Sequence, residues 1–270
     1  MLLLVDLDGV VYRGPVPVPG VAAVLARRAA AGDRVVYCTN NSSRHRTAYL
    51  EMLTGLGAPV SPDSIFTSAR ATALLLAPTE HARPSVMVVG ELGLRRELRD
   101  VGIRTVPPTR AGLATKPGAV AVGIDLRLTY ARLSAAMQAV RGGAYFVATN
   151  RDPVYPLADG FVPGAGSIVA ALQTAAGRPP DLVVGKPETW LYDAALRQAG
   201  ATPRDAVVIG DNLLTDIPAA VRIGARSVLM LTGVSSAVEV EKLPPPDRPT
   251  RIAADAARLE SALEELATGH

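Results

Sequence analysis

The chain has 270 residues, 49% hydrophobic and 20% charged, with a formal net charge of +3. That composition supplies core for one large or two modest domains and excludes a fibrous or disordered chain. The single cysteine, Cys38, excludes an internal disulfide. No apolar run reaches membrane-spanning length, and no basic region precedes the short apolar start, so a cytoplasmic protein without a membrane partner is expected.

Leu2–Val5 reads as a strand buried on both faces, because its apolar character is continuous. It ends in Asp6-Leu7-Asp8-Gly9, two carboxylates one residue apart and a glycine that allows a tight turn and close approach to a ligand. Residues 21–31 form a helix ending at Gly32. Arg34–Thr39 is a second strand, and Asn40-Asn41-Ser42-Ser43 leads into a helix over 44–56. This strand–helix alternation predicts a parallel sheet. A helix over 67–76 follows, and 79–84 reads as a linker.

A second alternation then begins. Strands are expected at 86–89, 103–106, 119–123 and 145–148, with helices at 92–101 and 130–140. Loops are expected over 107–117 and over the proline- and glycine-rich stretch 150–166. A helix covers 167–176. In the third phase, strand 182–184 leads into Gly185-Lys186-Pro187, with a helix over 190–198. Strand 206–209 leads into Gly210-Asp211-Asn212, with a helix over 216–223. Strand 227–231, a short helix over 234–240 and a closing helix over 253–267 complete the chain.

Four strand ends thus carry polar groups: Asp6/Asp8, Thr39-Asn40-Asn41, Lys186 and Asp211/Asp216. Ligands of open parallel sheets bind beyond the carboxyl ends of strands, so neighbouring strands would gather all four clusters on one rim. Each cluster alone has a plainer reading: an Asp-rich turn, a helix cap, a solvated lysine, a carboxylate matching a helix dipole. Together they spell phosphoryl transfer. Asp6 would attack phosphorus and become an aspartyl-phosphate. Asp8 would protonate the leaving alkoxide and then deprotonate the attacking water. Mg2+ would sit on Asp6, the Asp8 carbonyl and Asp211. Thr39 and Asn40 would donate to phosphate oxygens, and Lys186 would pair with phosphate and with Asp6.

Asp6-Leu7-Asp8-Gly9-Val10-Val11 resembles the first motif of the haloacid dehalogenase-like phosphatases. Thr39-Asn40-Asn41-Ser42 resembles their second, Gly185-Lys186-Pro187 their third, and Gly210-Asp211-Asn212 through Thr215-Asp216 their fourth. The insert between the second and third motifs resembles the type-2 cap of the NagD-like and 4-nitrophenylphosphatase branch. The resemblance implies a Rossmann-like α/β core over 1–78 and 181–270, with an inserted α/β cap over 79–180. It implies Mg2+ dependence and a small phosphorylated metabolite as substrate, such as glycerol phosphate or phosphoglycolate. It places Asp216 and Asn212 around the metal's ligands, held by hydrogen bonds rather than ligating the metal themselves. Cap-mediated homodimers are common in that branch.

Asn41 joins Thr39 and Asn40 as a substrate-binding candidate. Asn150, Arg151 and Asp152 are expected in a cap loop facing the leaving group, or else in a proline-rich turn without ligand contact. Two rival activities remain: a nucleotide 5'-monophosphatase on the same scaffold, and a nucleotide-sugar transferase that uses Asp6 and Asp8 as a metal clamp and gives no role to Lys186 or Asp211. Scattered arginines and 4% aromatic residues exclude a nucleic-acid partner of the usual kind. His45, His81 and His270 are too dispersed for zinc and read as surface residues.

Overall fold

The structure, a computed structural model, describes residues 1–157 and 160–268. The chain divides into two compact α/β units. One comprises Met1–Thr39, Thr47–Phe66 and Lys186–His270; the other comprises Asn40–Arg46 and Thr67–Gly185.

The first unit is built on a six-stranded sheet. Its strand order is Arg251–Ala253, Arg226–Met230, Ala206–Gly210, Leu2–Val5, Arg34–Thr39 and Ile65–Thr67. Leu2–Val5 occupies the interior and is fully buried, as its unbroken apolar run requires. It pairs in parallel on both sides, with Leu3 beside Val207 and Val35, and Val5 beside Ile209 and Tyr37. Asp6 therefore leaves the sheet level with the ends of two neighbouring strands, and its N–H still donates to the Ile209 carbonyl at 2.8 Å. Leu3, Val5, Leu25, Tyr49, Ile209 and Leu263 belong to the apolar core on one face. Fixing that core fixes where the strand ends emerge.

The second unit has a five-stranded sheet in the order Leu182–Val183, Tyr145–Ala148, Ala119–Val122, Val86–Val89 and Thr105–Val106. Its own core gathers Met87, Val122, Phe146 and Leu172 among others. The polar segment Asn40–Arg46 folds with this unit. Gly93 donates its N–H to the Ser43 carbonyl at 3.0 Å, and a Cβ there would overlap the Arg44 backbone. Ser68 Oγ donates to the Asn40 carbonyl at 2.5 Å.

Several elements differ from the sequence expectation. Inside the stretch read as irregular, Val154–Leu157 pairs antiparallel with Gly160–Pro163; residues 158–159 lie outside the described residues. A two-stranded ribbon consists of edges, and edges accept proline, so the prolines there did not exclude a strand. Within the expected loop 107–117, Arg110–Ala114 is a short helix, capped by Thr109 Oγ1 accepting from Gly112 N at 3.2 Å. The three-residue edge strands Ile65–Thr67 and Arg251–Ala253 are too short to show a periodicity. The helix expected over 234–240 begins later, at Ala237, because Ser236 and Glu239 form a capping box.

Candidate active site

In the first unit the strand tips bring four sequence-predicted residues together. Lys186 Nζ lies 2.7 Å from Asp6 Oδ1 and 2.6 Å from Asp216 Oδ1, and it donates to the Cys38 carbonyl at 3.1 Å. Those three acceptors match the three N–H bonds of an ammonium. Lys186 is 2% exposed and Asp216 fully buried, so this is a dry ion cluster rather than a surface pair. Asp216 is also held by the Asn212 N–H, which donates to its Oδ2 at 3.2 Å. The Asn212 side chain turns back on its own loop, where Oδ1 accepts from Leu214 N at 2.8 Å.

Asp211 is seated by a loop that sequence reasoning passed over, Thr232–Ser235. Val234 N–H donates to Asp211 Oδ2 at 2.8 Å, and Ser235 N–H to the Asp211 carbonyl at 3.1 Å. Gly9 (φ +78°) and Gly233 both back onto the Asp211 carboxylate, and a Cβ at either would overlap it. Thr232 Oγ1 donates to the Gly9 carbonyl at 2.6 Å, tying this loop to the turn after Asp8. The clue was available: Thr232-Gly233 also follows a buried strand, Arg226–Met230, a fifth polar strand tip of the kind that marked the other four.

The electrostatics follow from burial. Desolvation pushes the Asp6 carboxyl well above the usual carboxylate range; Lys186 opposes this, and Asp216 and Asp211 reinforce it. Burial likewise pushes Asp211 to about 7, with Asp216 adding to the shift and the Val234 N–H opposing it. Burial works against a charged Lys186, yet Asp216 and Asp6 raise its pKa well above that of an ordinary lysine. Asp8, half-buried, is also raised by burial, against backbone hydrogen bonds from Gly14 and Gly9. Burial pushes the Cys38 thiol up, so it is inert.

The donor set fits a hard divalent cation. Asp6, Asp211 and Asp216 place carboxylate oxygens within 4.8 Å of one another. Three buried carboxylates against one ammonium leave excess negative charge, which a cation with oxygen preference relieves. Thr39 ends the strand beside Leu2–Val5 and is buried.

The other predicted residues meet in the second unit. Asn40 Nδ2 donates to both carboxylate oxygens of Asp152 at 3.2 Å, and Asn150 Nδ2 donates to the Asn40 carbonyl at 2.7 Å. Asp152 N–H donates to Asn150 Oδ1 at 3.1 Å, and Asn41 Nδ2 to Tyr155 Oη at 3.4 Å. Arg151 is exposed. This cluster shapes the segment that follows Thr39.

His45, read as a surface residue, is instead buried. Its Nε2 lies 2.9 Å from Asp100 Oδ2 and 3.5 Å from Glu97 Oε1. Arg46 pairs with both of these acids, reaching Asp100 at 3.0 Å. His45, Glu97 and Asp100 have metal-compatible spacing, but the Arg46 guanidinium already supplies the cation.

Two family models match the chain: haloacid dehalogenase-like hydrolase over residues 3–104, and HAD-hydrolase-like over 183–259. A glycerol-3-phosphate phosphatase from Gallus gallus is 38% identical over 269 residues, covering 92% of this chain and 85% of the relative. The p-nitrophenyl phosphatase from Archaeoglobus fulgidus superposes with a TM-score of 0.87 at 30% identity, over 97% of this chain and 98% of that one. A glycerol phosphate phosphatase from Mycobacterium tuberculosis, solved with magnesium, superposes at 0.86 and 37% identity, over 96% of this chain and 75% of that one.

Proposed function

We propose that this chain, which belongs to the haloacid dehalogenase-like hydrolase family, removes phosphate from a small polyol phosphate of the glycerol phosphate kind, with Asp6 as nucleophile and Asp8 as acid and base. It is a phosphoric monoester hydrolase that uses Mg2+ and acts on small phosphomonoesters. The observation that carries the residue assignment is the buried contact of Lys186 with Asp6 and Asp216 at strand tips that the sequence separates by up to 210 positions. The choice of substrate rests on relatives and structural neighbours named as glycerol phosphate phosphatases.

In this reading a carboxylate oxygen of Asp6 attacks phosphorus and the P–O bond to the alcohol breaks. Asp8 gives its proton to the departing alkoxide; burial raises its carboxyl, which favours the protonated form that donates. Asp8 then takes a proton from the water that attacks the aspartyl-phosphate, and Asp6 is regenerated as inorganic phosphate leaves. Lys186 keeps Asp6 charged and offsets the charge of the incoming phosphate. The Thr39 hydroxyl is the donor assigned to a phosphate oxygen. Asp6, Asp211 and the Asp8 carbonyl would hold Mg2+, which would supply charge neutralisation for the phosphate. Asn150, Arg151 and Asp152 are assigned to the lobe that selects the alcohol, Asn150 and Asp152 by shaping the segment after Thr39.

The test is phosphate release from glycerol 3-phosphate, phosphoglycolate, 4-nitrophenyl phosphate and nucleoside 5'-monophosphates, with wild type and Asp6→Asn. The expected result is the highest kcat/KM on glycerol 3-phosphate and no turnover by a folded Asp6→Asn protein. A preference for nucleotides would replace the substrate assignment, and an active Asp6→Asn would overturn the nucleophile.

A further inference from the structure

Asp216 Oδ1 has a second partner besides Lys186. Tyr192, on the helix Trp190–Ala199, is among the largest fully buried side chains of the molecule, and its hydroxyl lies 3.3 Å from that same oxygen. A carboxylate oxygen can only accept, so Tyr192 donates. A phenol is costly to bury without a partner, and this one finds its partner inside the ion cluster.

We propose that Tyr192 is a positioning residue for the nucleophile: by sharing Asp216 Oδ1 with Lys186, its hydroxyl keeps Asp216 from claiming the ammonium outright and leaves Lys186 seated on Asp6. This rests on the assignment of Asp6 as nucleophile. Lys186 is placed almost symmetrically, at 2.6 Å from Asp216 and 2.7 Å from Asp6. A carboxylate with one neutral donor holds less unsatisfied charge than a bare one, so it pulls the ammonium less. Without the hydroxyl, the donors to Asp216 among the described residues would be Lys186 and the Asn212 N–H. The ammonium would shift toward Asp216, and ionised Asp6 would lose part of its contact with the Lys186 ammonium. Tyr192 itself is assigned no contact with substrate, so the effect is expected in kcat more than in KM.

The experiment is Tyr192→Phe, which deletes one oxygen and keeps the ring. A charge-assisted hydrogen bond of this kind corresponds to about a tenfold change in rate. Expected are a kcat lowered about tenfold, KM within about twofold of wild type, and a folded protein. The second measurement needs no activity. Metal-free Tyr192→Phe, Asp216→Asn and the double variant are unfolded in urea, closing a double-mutant cycle. If Tyr192 acts through Asp216, its deletion costs much less stability in the Asp216→Asn background than in wild type. Unchanged kcat in Tyr192→Phe, an equal stability loss in both backgrounds, or a Tyr192→Phe protein that cannot fold would each overturn the proposal. An active Asp6→Asn would remove its premise while leaving the urea cycle readable.

Discussion

Replacing Lys186 with methionine should destabilise the protein in a pH-dependent way and abolish activity. The side chain is 2% exposed and lies within 2.6–3.1 Å of Asp216, Asp6 and the Cys38 carbonyl. Methionine fills the volume but leaves Asp6 and Asp216 facing each other without a cation. Removing one partner of a buried ion pair costs about 3–5 kcal/mol, at the lower edge of the 5–15 kcal/mol total that holds an ordinary domain folded. The variant should therefore fold but be weak. The pH sign follows from linkage. Without Lys186 the Asp6 carboxyl, already raised by burial, loses the cation that opposes that rise. A group raised on folding contributes stability that is full below its unfolded pKa and lost as pH rises through its folded pKa. The deficit against wild type should be smallest near pH 5, where a carboxyl can protonate, and largest near pH 8. Urea unfolding of metal-free protein at both values measures it. Turnover should fall by at least about 10^2–10^3, the usual cost of one preorganised charge partner. A deficit of equal size at pH 5 and pH 8, or near-normal turnover, would refute the argument that Lys186 holds Asp6 ionised.

Three other outcomes follow from the same geometry. Asp211 ionises near 7 when no cation is bound, and divalent binding needs it ionised, so the rise in Tm on adding Mg2+ should grow from pH 6 to pH 8; a pH-independent rise would count against Asp211 as a ligand. Gly233→Ala should fold yet lose most of its Mg2+-induced Tm shift, because the new Cβ overlaps the Asp211 carboxylate; an undiminished shift would show that the Thr232–Ser235 loop does not seat the metal ligand. In the second unit, Glu97→Ala should cost about 3 kcal/mol or more by leaving Arg46 and His45 short of a buried counter-charge, and denaturant unfolding with a loss below about 1 kcal/mol would contradict that.

The fold was legible in the sequence where apolar runs end abruptly. Leu2–Val5 and Ala206–Ile209 are buried on both faces, and their polar successors Asp6 and Asp211 had to sit at strand tips. The site was legible for the same reason: carboxylates and a lysine at the ends of core strands serve no packing purpose. What stayed hidden depends on tertiary placement. Tyr192 sits among Leu191, Ala194 and Ala195 and reads as one more core residue; only its helix's docking brings the hydroxyl to Asp216. His45 looked solvated because its counter-charges, Glu97 and Asp100, lie more than fifty residues away in the chain. Residues 40–43 read as a polar lead into a helix over 44–56 with phosphate-binding candidates Asn40 and Asn41, yet Asn150 and Asp152 bind Asn40 within the second unit. The division into a core and an inserted selective lobe, with Asn150, Arg151 and Asp152 in the latter, is a proposal that rests on these contacts.

The central claim is that phosphate passes through a covalent bond to Asp6. Wild-type enzyme mixed with 4-nitrophenyl phosphate and Mg2+, quenched in acid within milliseconds and digested, should yield a phosphorylated N-terminal peptide by mass spectrometry, with the modification on Asp6. Asp8→Asn should accumulate more of it than wild type, since its water goes unactivated. A phosphoryl group on any other residue, or none at any quench time while turnover proceeds, would contradict the account.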